Sequence, residues 1–205
     1  TSKDDLKITG GNLIVYAHDD GLEANDSIRI YDGNISIEAG ADALHSENDE
    51  DPLSGYIYIQ SGTLDISAAD DGIRGNSIIQ IDGGIINIST CKEGIEATHI
   101  QINGGTLVIY ATDDGINATA RSTIDIVIEV YGGDISVTMA SGDTDAFDSN
   151  GDLFIYGGDI DIAAQSSFDA NGTAQLVNGN VTINGTAVAE LPQGRTGGGP
   201  GRRGR

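Results

Sequence analysis

The sequence lacks tryptophan, contains a single cysteine, and carries only 10 Lys and Arg residues against 32 Asp and Glu residues. The lone Cys91 excludes an intramolecular disulfide. No stretch approaches the roughly 18 consecutive apolar residues that a membrane helix needs, so we expect no membrane insertion. The formal charge of −22 repels phosphate groups, which argues against nucleic acid and anionic lipid as partners.

The acidic residues that dominate the composition are mostly of one type, with 24 Asp and only 8 Glu. Glu is the better helix former, whereas Asp favours turns and supplies hard oxygen ligands for metal ions. Hydrophobic residues still make up 38% of the chain, and they recur in a regular order. The composition is therefore typical of an ordered, turn-rich domain with little helix.

Glycine recurs eight times ahead of a short β pattern, as in GGNLIVYA from Gly10 and GGTLVIYA from Gly104. The aligned glycines stand at positions 11, 33, 62, 84, 105, 133, 158 and 179. The two longest intervals carry insertions, one at Ser46–Gly55 and the other around Thr119–Ile126. Self-similarity at a period of this length indicates a repeat protein.

Each repeat contains three hydrophobic segments; between positions 61 and 81 they read SGTLDISA, GIRG and SIIQI. Three short strands per repeat, without any 3.6-residue period, predict one coil of a parallel β-helix. Parallel crossovers are usually right-handed, so we expect a right-handed solenoid of about eight coils, roughly 38 Å long. An antiparallel sandwich also uses many short strands, but it has no reason to keep each strand at one offset from the glycine.

The chain divides into two predicted regions. Residues 1–190 are expected to form the β-helix domain, and residues 191–205, LPQGRTGGGPGRRGR, a flexible Gly-, Pro- and Arg-rich tail. The tail is interpreted either as a plain linker or as a basic segment that docks on an acidic surface.

Acidic residues cluster between the first and second segments of each repeat and continue into the second segment; we call this region the acidic corner. It carries DDG at 19–21, 70–72 and 113–115. Stacked repeats would place like charges about 5 Å apart, where each pair repels by about 3 kcal/mol. Only Arg74 and Lys92 are basic residues of this region, so bound cations are needed to neutralise it. Carboxylate, amide and backbone oxygens favour several Ca²⁺ ions over zinc or copper.

Turn formation is the competing explanation, because Asp-Gly is good turn chemistry by itself. We expect His45 and His99 to be turn or surface residues rather than metal ligands. The predicted metal ligands are Asp19, Asp20, Glu23, Asp42, Asp70, Asp71, Glu93, Asp113, Asp114, Asp145 and Asp148.

The repeated GG-x-[IL]-x-[IV] strand followed by DDG[IL]-x-[AG] resembles a secreted bacterial carbohydrate-binding family of calcium-binding, polysaccharide-lyase-like parallel β-helices. The resemblance runs from about Leu6 to Val188. It implies a right-handed helix, bound calcium, a secreted or cell-surface location, and polysaccharides such as cellulose or polygalacturonate as ligands. It carries the calcium role onto the three DDG motifs. KEG at 92–94 and ADA at 41–43 depart from that motif, as does SFD at 167–169.

Three functions are consistent with this sequence. A binding module would hold acidic polysaccharide through Ca²⁺, or cellulosic glucan on tyrosines such as Tyr131 and Tyr156, which share an outward position in adjacent repeats. A structural protein would stack end to end into filaments, since neither end shows a capping segment. A calcium-dependent polysaccharide lyase would use Lys92 as the base, with Arg74 nearby, although acidic neighbours would make Lys92 a poor base.

Overall fold

The computed structural model describes residues 1–48, 50–142 and 144–192, which form 22 β-strands and no helix. Within these ranges, accordingly, no helix is long and apolar enough to cross a membrane. The all-β class predicted from the sequence is confirmed.

The strands recur in three sets along the chain. Two long strands come first and each crosses one of the recurring glycines: β1 (Asp5–Ala17) and β3 (Ser27–Ala39). The strands after the later glycines are β6 (Thr63–Ala68), β9 (Ile85–Thr90), β12 (Thr106–Ala111), β15 (Asp134–Met139), β18 (Asp159–Ala163) and β21 (Asn180–Ile183). The strands of the acidic corner are β2 (Leu22–Ala24), β4 (Leu44–Ser46), β7 (Ile73–Gly75), β10 (Ile95–Ala97), β13 (Ile116–Ala118), β16 (Asp145–Ser149) and β19 (Ser166–Ala170). The third set contains β5 (Tyr56–Ile59), β8 (Ile78–Ile81), β11 (His99–Ile102), β14 (Val127–Val130), β17 (Asp152–Ile155) and β20 (Ala174–Leu176). The last described strand is β22 (Thr186–Val188).

Each strand pairs in parallel with the corresponding strand of the next repeat. The corner strands form a seven-stranded sheet in the order β19-β16-β13-β10-β7-β4-β2, and the other two sets join through β3 into a 15-stranded sheet. One described pair is antiparallel: β22 folds back on β21, with Val188 opposite Val181. Strand β1 pairs with β3 alone, so one edge of β1 is open within the described part of the chain.

The core consists of apolar side chains that lie in register from repeat to repeat. Along the strands that follow the glycines, Leu64 pairs with Ile86 and Ile86 with Leu107, and all three are fully buried. Because side chains alternate across each strand, the intervening residues face outward. Burial of each such side chain stabilises the fold by about 1.5–3 kcal/mol, and only the neighbouring repeats provide that burial.

The recurring glycine is required by backbone geometry. Gly105 has a φ of 100°, a conformation that residues with a side chain rarely adopt. A Cβ atom at this position would also lie 2.9 Å from the carbonyl oxygen of Gly84 in the preceding repeat. The close stacking of successive glycines therefore explains why the sequence repeats them at this point.

The two insertions lie where the sequence predicts them, between strands. β4 ends at Ser46 and β5 begins at Tyr56, while β13 ends at Ala118 and β14 begins at Val127. Leu191, the first residue of the predicted tail, is buried against the core at 2% exposure. Residues 193–205 lie outside the described residues, so the flexible tail stays a prediction.

Candidate functional site

The second acid of each corner motif lies in a column that runs along the stacked repeats. At four steps of the column, one carboxylate oxygen accepts a hydrogen bond from the backbone N–H of the next acid. This bond joins Asp42 to Asp20 (3.0 Å), Asp71 to Asp42 (2.9 Å), Glu93 to Asp71 (3.4 Å) and Asp145 to Asp114 (2.9 Å). The bonds thus link the predicted column from Asp20 to Glu93 and from Asp114 to Asp145.

A second row of polar side chains lies beside the column, on the corner strands. Its members are paired in register along the seven-stranded sheet: Glu23, His45, Arg74, Glu96, Asn117, Asp148 and Asp169. Glu23 accepts a hydrogen bond from the Thr1 hydroxyl at 2.8 Å. Column and row together bring carboxylates of adjacent repeats onto one edge of the molecule.

The first acids of the DDG motifs differ in their surroundings: Asp70 lies within reach of Asp42 and Asp71, whereas Asp19 and Asp113 are open to solvent. The side chain of Asp19 is 92% exposed and contacts only the neighbouring His18, and Asp113 is also exposed. Asp70 is half-buried, and its carboxylate lies 2.8 Å from the ammonium group of Lys92. These three residues are consequently more accessible to a ligand in solvent than the column behind them.

The upstream half of the corner, from Asp20 to Glu96, is partly neutralised by fixed cations. The Arg74 guanidinium lies 3.3 Å from Asp42, 3.5 Å from Glu47 and 3.7 Å from Glu96. Arg121 contacts Glu96 at 2.6 Å. Burial would lower the pKa of Arg74, but these carboxylates outweigh it and raise that pKa, so the side chain stays charged.

Arg121 corrects the expectation that only Arg74 and Lys92 could balance this region. It comes from the insertion between β13 and β14, and the backbone N–H groups of Arg121 and Ser122 donate to the Thr98 hydroxyl. The path of an insertion is not encoded in the repeat pattern, which is why the alignment of the repeats does not place this residue at the corner.

The expectation of a turn or surface position is wrong for His45, whereas His99 takes an outward-facing position on its strand. His45 lies in β4 with its side chain only 16% exposed, and its Nδ1 is 2.8 Å from Asp20 while its Nε2 is 2.9 Å from Glu47. Burial would lower the pKa of His45, but the hydrogen bonds to Asp20 and Glu47 outweigh it and raise that pKa. His99 lies in β11, 3.2 Å from Glu129.

Three groups of corner side chains could each hold a metal ion, because their ligand atoms lie within 4.8 Å of one another. These groups are Asp20 with Asp42 and His45, Asp42 with Asp70 and Asp71, and Asp71 with Glu93 and Glu96. The sequence predicted all of these acids as ligands except Glu96. The position of Glu96 in the second row of the aligned repeats could have identified it as a ligand.

The downstream half of the corner, from Asp114 to Asp169, is balanced differently. Within the described residues, neither Asp114 nor Asp148 has a Lys or Arg ion-pair partner. Burial raises the pKa of Asp114 to about 6 and that of Asp148 to about 7, and neighbouring carboxylates add to both shifts. Asp145, between them in the chain, accepts a hydrogen bond from the Ser166 hydroxyl.

At the junction of the two halves lies a buried amide with an unused acceptor. The Asn117 side-chain N–H donates to Glu93 at 3.0 Å, whereas its Oδ1 is buried and has no hydrogen-bond partner among the described residues. Burial and the nearby Glu96 raise the pKa of Glu93, and burial and Asp42 raise that of Asp71. An unpaired amide oxygen beside poorly solvated carboxylates is a favourable environment for a cation.

The glycine of each corner motif has a packing role. A Cβ atom on Gly72 would lie 2.7 Å from the carbonyl oxygen of Gly94 in the next repeat. The DDG glycine therefore allows two repeats to approach closely, a requirement that explains the glycine but not the two acids before it.

The two tyrosines predicted as a sugar platform lie together. The rings of Tyr131 and Tyr156 are stacked, with centroids 4.8 Å apart and an angle of 18° between their planes. Phe154 extends the stack, 5.8 Å from Tyr156, and Tyr131 is 47% exposed. Phe154 lies on β17, and the two tyrosines directly follow β14 and β17, away from the corner strands.

Lys92, the candidate base, is exposed at the corner and is paired with Asp70. The hydrogen bond to Asp70 raises the pKa of Lys92 above its ordinary value. A lysine held in its protonated form at neutral pH cannot readily accept a proton from a substrate.

The comparison with known families bears on this geometry. A family model described as "carbohydrate-binding domain-containing protein" matches residues 1–146. The chain belongs to this carbohydrate-binding domain family. The matched residues include all three DDG motifs and the whole upstream half of the corner.

One solved structure is similar to this carbohydrate-binding family member: the polysaccharide lyase-like protein from C. thermocellum, in a gadolinium derivative. The alignment covers 89% of each chain, with 20% sequence identity and a TM-score of 0.47. No match was found among the curated proteins.

Proposed function

We propose that this protein is a calcium-dependent polysaccharide-binding module of the secreted or cell-surface type. The observation that carries the proposal is the stack of closely spaced, at least half-buried carboxylates on a member of a carbohydrate-binding family. The ligand class we favour is acidic polysaccharide such as polygalacturonate, because a cation can join its carboxylates to those of the protein.

The proposed architecture is a right-handed parallel β-helix of about eight coils. The parallel pairing of every repeat with the next supports a coiled path, since the chain must return to the same strand position once per repeat. The hand follows from the strong preference of parallel crossovers for the right-handed form. An experimental structure with the opposite hand would overturn this part of the proposal.

Calcium is proposed at two places along the corner. In the upstream half the group of Asp71, Glu93 and Glu96 supplies closely spaced carboxylates, and in the downstream half Asp114 and Asp148 lack a fixed cation in the described chain. Hard oxygen donors without a cysteine or histidine cluster suit Ca²⁺. Exposed Asp19 and Asp113 and half-buried Asp70 lie on the solvent side of the predicted set.

The lyase alternative is weaker than binding, because the pairing of Lys92 with Asp70 opposes its use as a base. Self-association has one observation in its favour: β1 has an open edge, and Ile14 and Tyr16 are exposed on it at 67% and 80%. At the other end β22 covers the edge of β21, which disfavours continuous head-to-tail pairing along that sheet.

The test measures retention of the protein on immobilised polygalacturonate and on cellulose, with saturating Ca²⁺ and with a chelator. We expect calcium-dependent retention on polygalacturonate and its loss in the double variant Asp71→Asn/Glu93→Gln. Asp161→Asn, an exposed acid outside the corner, serves as the matched control. Equal retention in Ca²⁺ and chelator would contradict the calcium-dependent mechanism, and no retention on either polymer would contradict the function.

A further inference from the structure

A cleft of about 340 Å³ lies on the outward face of the third set of strands, away from the acidic corner. The residues lining it come from β3, β5 and β8 and from the first insertion: Arg29, Tyr31, Leu53, Tyr56, Tyr58 and Gln80 are among them. Its volume is within the range of small-ligand sites.

The insertion between β4 and β5 builds one wall of this cleft. Leu53 belongs to this insertion and is 68% exposed, yet its segment is anchored on both sides. The Ser122 hydroxyl donates to the Pro52 carbonyl at 2.5 Å, and the Ser77 hydroxyl donates to the Leu53 carbonyl at 3.4 Å. An exposed apolar side chain on an anchored loop is positioned to cover a ligand lying on the strands.

The opposite wall and floor are aromatic. Tyr31 and Tyr58 meet edge to face, with centroids 5.9 Å apart and an interplanar angle of 74°. The Tyr58 hydroxyl donates to Asp82 at 2.7 Å, and Gln80 donates to the same carboxylate at 2.8 Å. Burial would raise the pKa of Asp82, but these bonds and one from Asn103 outweigh it and lower that pKa, so the acceptor that orients Tyr58 stays ionised.

Two cations lie beside these rings, in a protein whose surface is otherwise strongly acidic. Lys7 and Arg29 are paired in register on β1 and β3, and the Lys7 ammonium lies 4.8 Å from the centre of the Tyr31 ring. Arg29 contacts Asp5 at 2.5 Å through one terminal nitrogen. Among the described residues Lys7 has no carboxylate within ion-pair distance, so its charge is available to an anion.

We propose that this cleft binds a uronic-acid unit of an acidic polysaccharide, with the sugar ring against Tyr31 and Tyr56 and its carboxylate facing Lys7 and Arg29. Pyranose rings present C–H faces that pack on aromatic rings, and a carboxylate can pair with the Lys7 ammonium group. The inference rests on the proposed polysaccharide binding but assigns it a second, calcium-independent contact. A glycan in this cleft can extend along the same outward face towards Tyr131 and Tyr156.

The experiment is calorimetric titration of the full chain with a short galacturonic-acid oligomer and with a cello-oligomer of equal length. We expect the double variant Tyr31→Ala/Tyr56→Ala to weaken binding of the acidic oligomer by about tenfold or more. The matched control Tyr16→Ala/Tyr110→Ala removes two exposed tyrosines from β1 and β12, outside the cleft, and should change this affinity less than threefold. If the double variant is too unstable to measure, Leu53→Ala takes its place as the test. This variant alters only an exposed side chain and should weaken binding severalfold.

The charge requirement is tested at Lys7. We expect Lys7→Gln to weaken the acidic oligomer several-fold and Lys7→Arg to restore it, with little effect on the neutral oligomer. The affinity of the wild-type protein for the acidic oligomer should change little when calcium is removed. This comparison is made at a temperature below the melting temperature of the metal-free protein.

The outcomes separate this inference from the proposed function. Calcium-dependent retention on polygalacturonate together with unchanged oligomer affinity in the Tyr31/Tyr56 and Leu53 variants would overturn the cleft and leave the function intact. Tighter binding of the cello-oligomer, unaffected by Lys7→Gln, would overturn the uronate assignment. Failure of wild-type protein to bind either oligomer or polymer would overturn both.

Discussion

The upstream and downstream halves of the corner are built from the same repeat, but they balance their charge in different ways. Upstream, Arg74 and Arg121 reach Asp42, Glu47 and Glu96 directly. Downstream, Asp114 and Asp148 have no such partner in the described chain, and burial shifts both towards their protonated forms. A stacked acid can therefore be neutralised by a fixed cation or by a proton, and the sequence context of each repeat decides which.

The largest effect is expected from calcium. Saturating Ca²⁺ should raise the melting temperature by roughly 10 °C over protein in chelator, because ions bound only to the folded state stabilise it by mass action. The increase should be smaller in Asp148→Asn, which removes a downstream carboxylate, than in the exposed control Asp161→Asn. Differential scanning calorimetry checks both; equal melts with and without Ca²⁺ would refute calcium binding to the fold.

The fixed cation of the upstream half is tested by Arg74→Gln. Its removal leaves Asp42 and Glu96 with less compensation in a poorly solvated site, so we expect a loss of about 3 kcal/mol in the free energy of unfolding. Urea denaturation in chelator measures it. If the free energy of unfolding falls by less than it does for an ordinary surface substitution, Arg74 does not balance the negative charge of the upstream half.

The proton in the downstream half predicts a pH dependence of metal-free protein. Folded Asp148 keeps its proton up to about pH 7, whereas the ordinary value for the unfolded chain is 3.8. The folded state therefore binds more protons between these values, and stability should fall as pH rises from about 4 to 8. Asp148→Asn should flatten this fall and stabilise the metal-free protein at pH 8, whereas Asp161→Asn should leave the slope unchanged.

The smallest effect is expected at Lys92. Its ion pair with Asp70 is exposed, so Lys92→Gln should leave the melting temperature nearly unchanged, in contrast to Arg74→Gln. Retention on polygalacturonate should persist as well. Formation of an unsaturated product by wild-type protein, lost in Lys92→Gln, would instead support the lyase alternative.

Much of this molecule could be predicted because a repeat constrains its own stacking. The glycine spacing and the hydrophobic segments together indicate the strands and their stacking, and the aligned acidic motifs indicate the column of Asp20, Asp42 and Asp71. The insertions escape this reasoning, since no neighbouring repeat specifies their path. Arg121 at the corner and Leu53 over the tyrosine cleft both come from them, and His45 was misjudged because its partner Asp20 lies in another repeat.

The uniform contact between successive repeats has a consequence for how such a protein can change in length. Gly105 stacks on Gly84 through the same geometry that recurs at other repeats, so a repeat presents matching surfaces to the repeat before it and the repeat after it. Duplication of one repeat within the gene would add a further corner position without requiring a new interface. The number of stacked acidic positions in such a protein can therefore grow in single steps with its length.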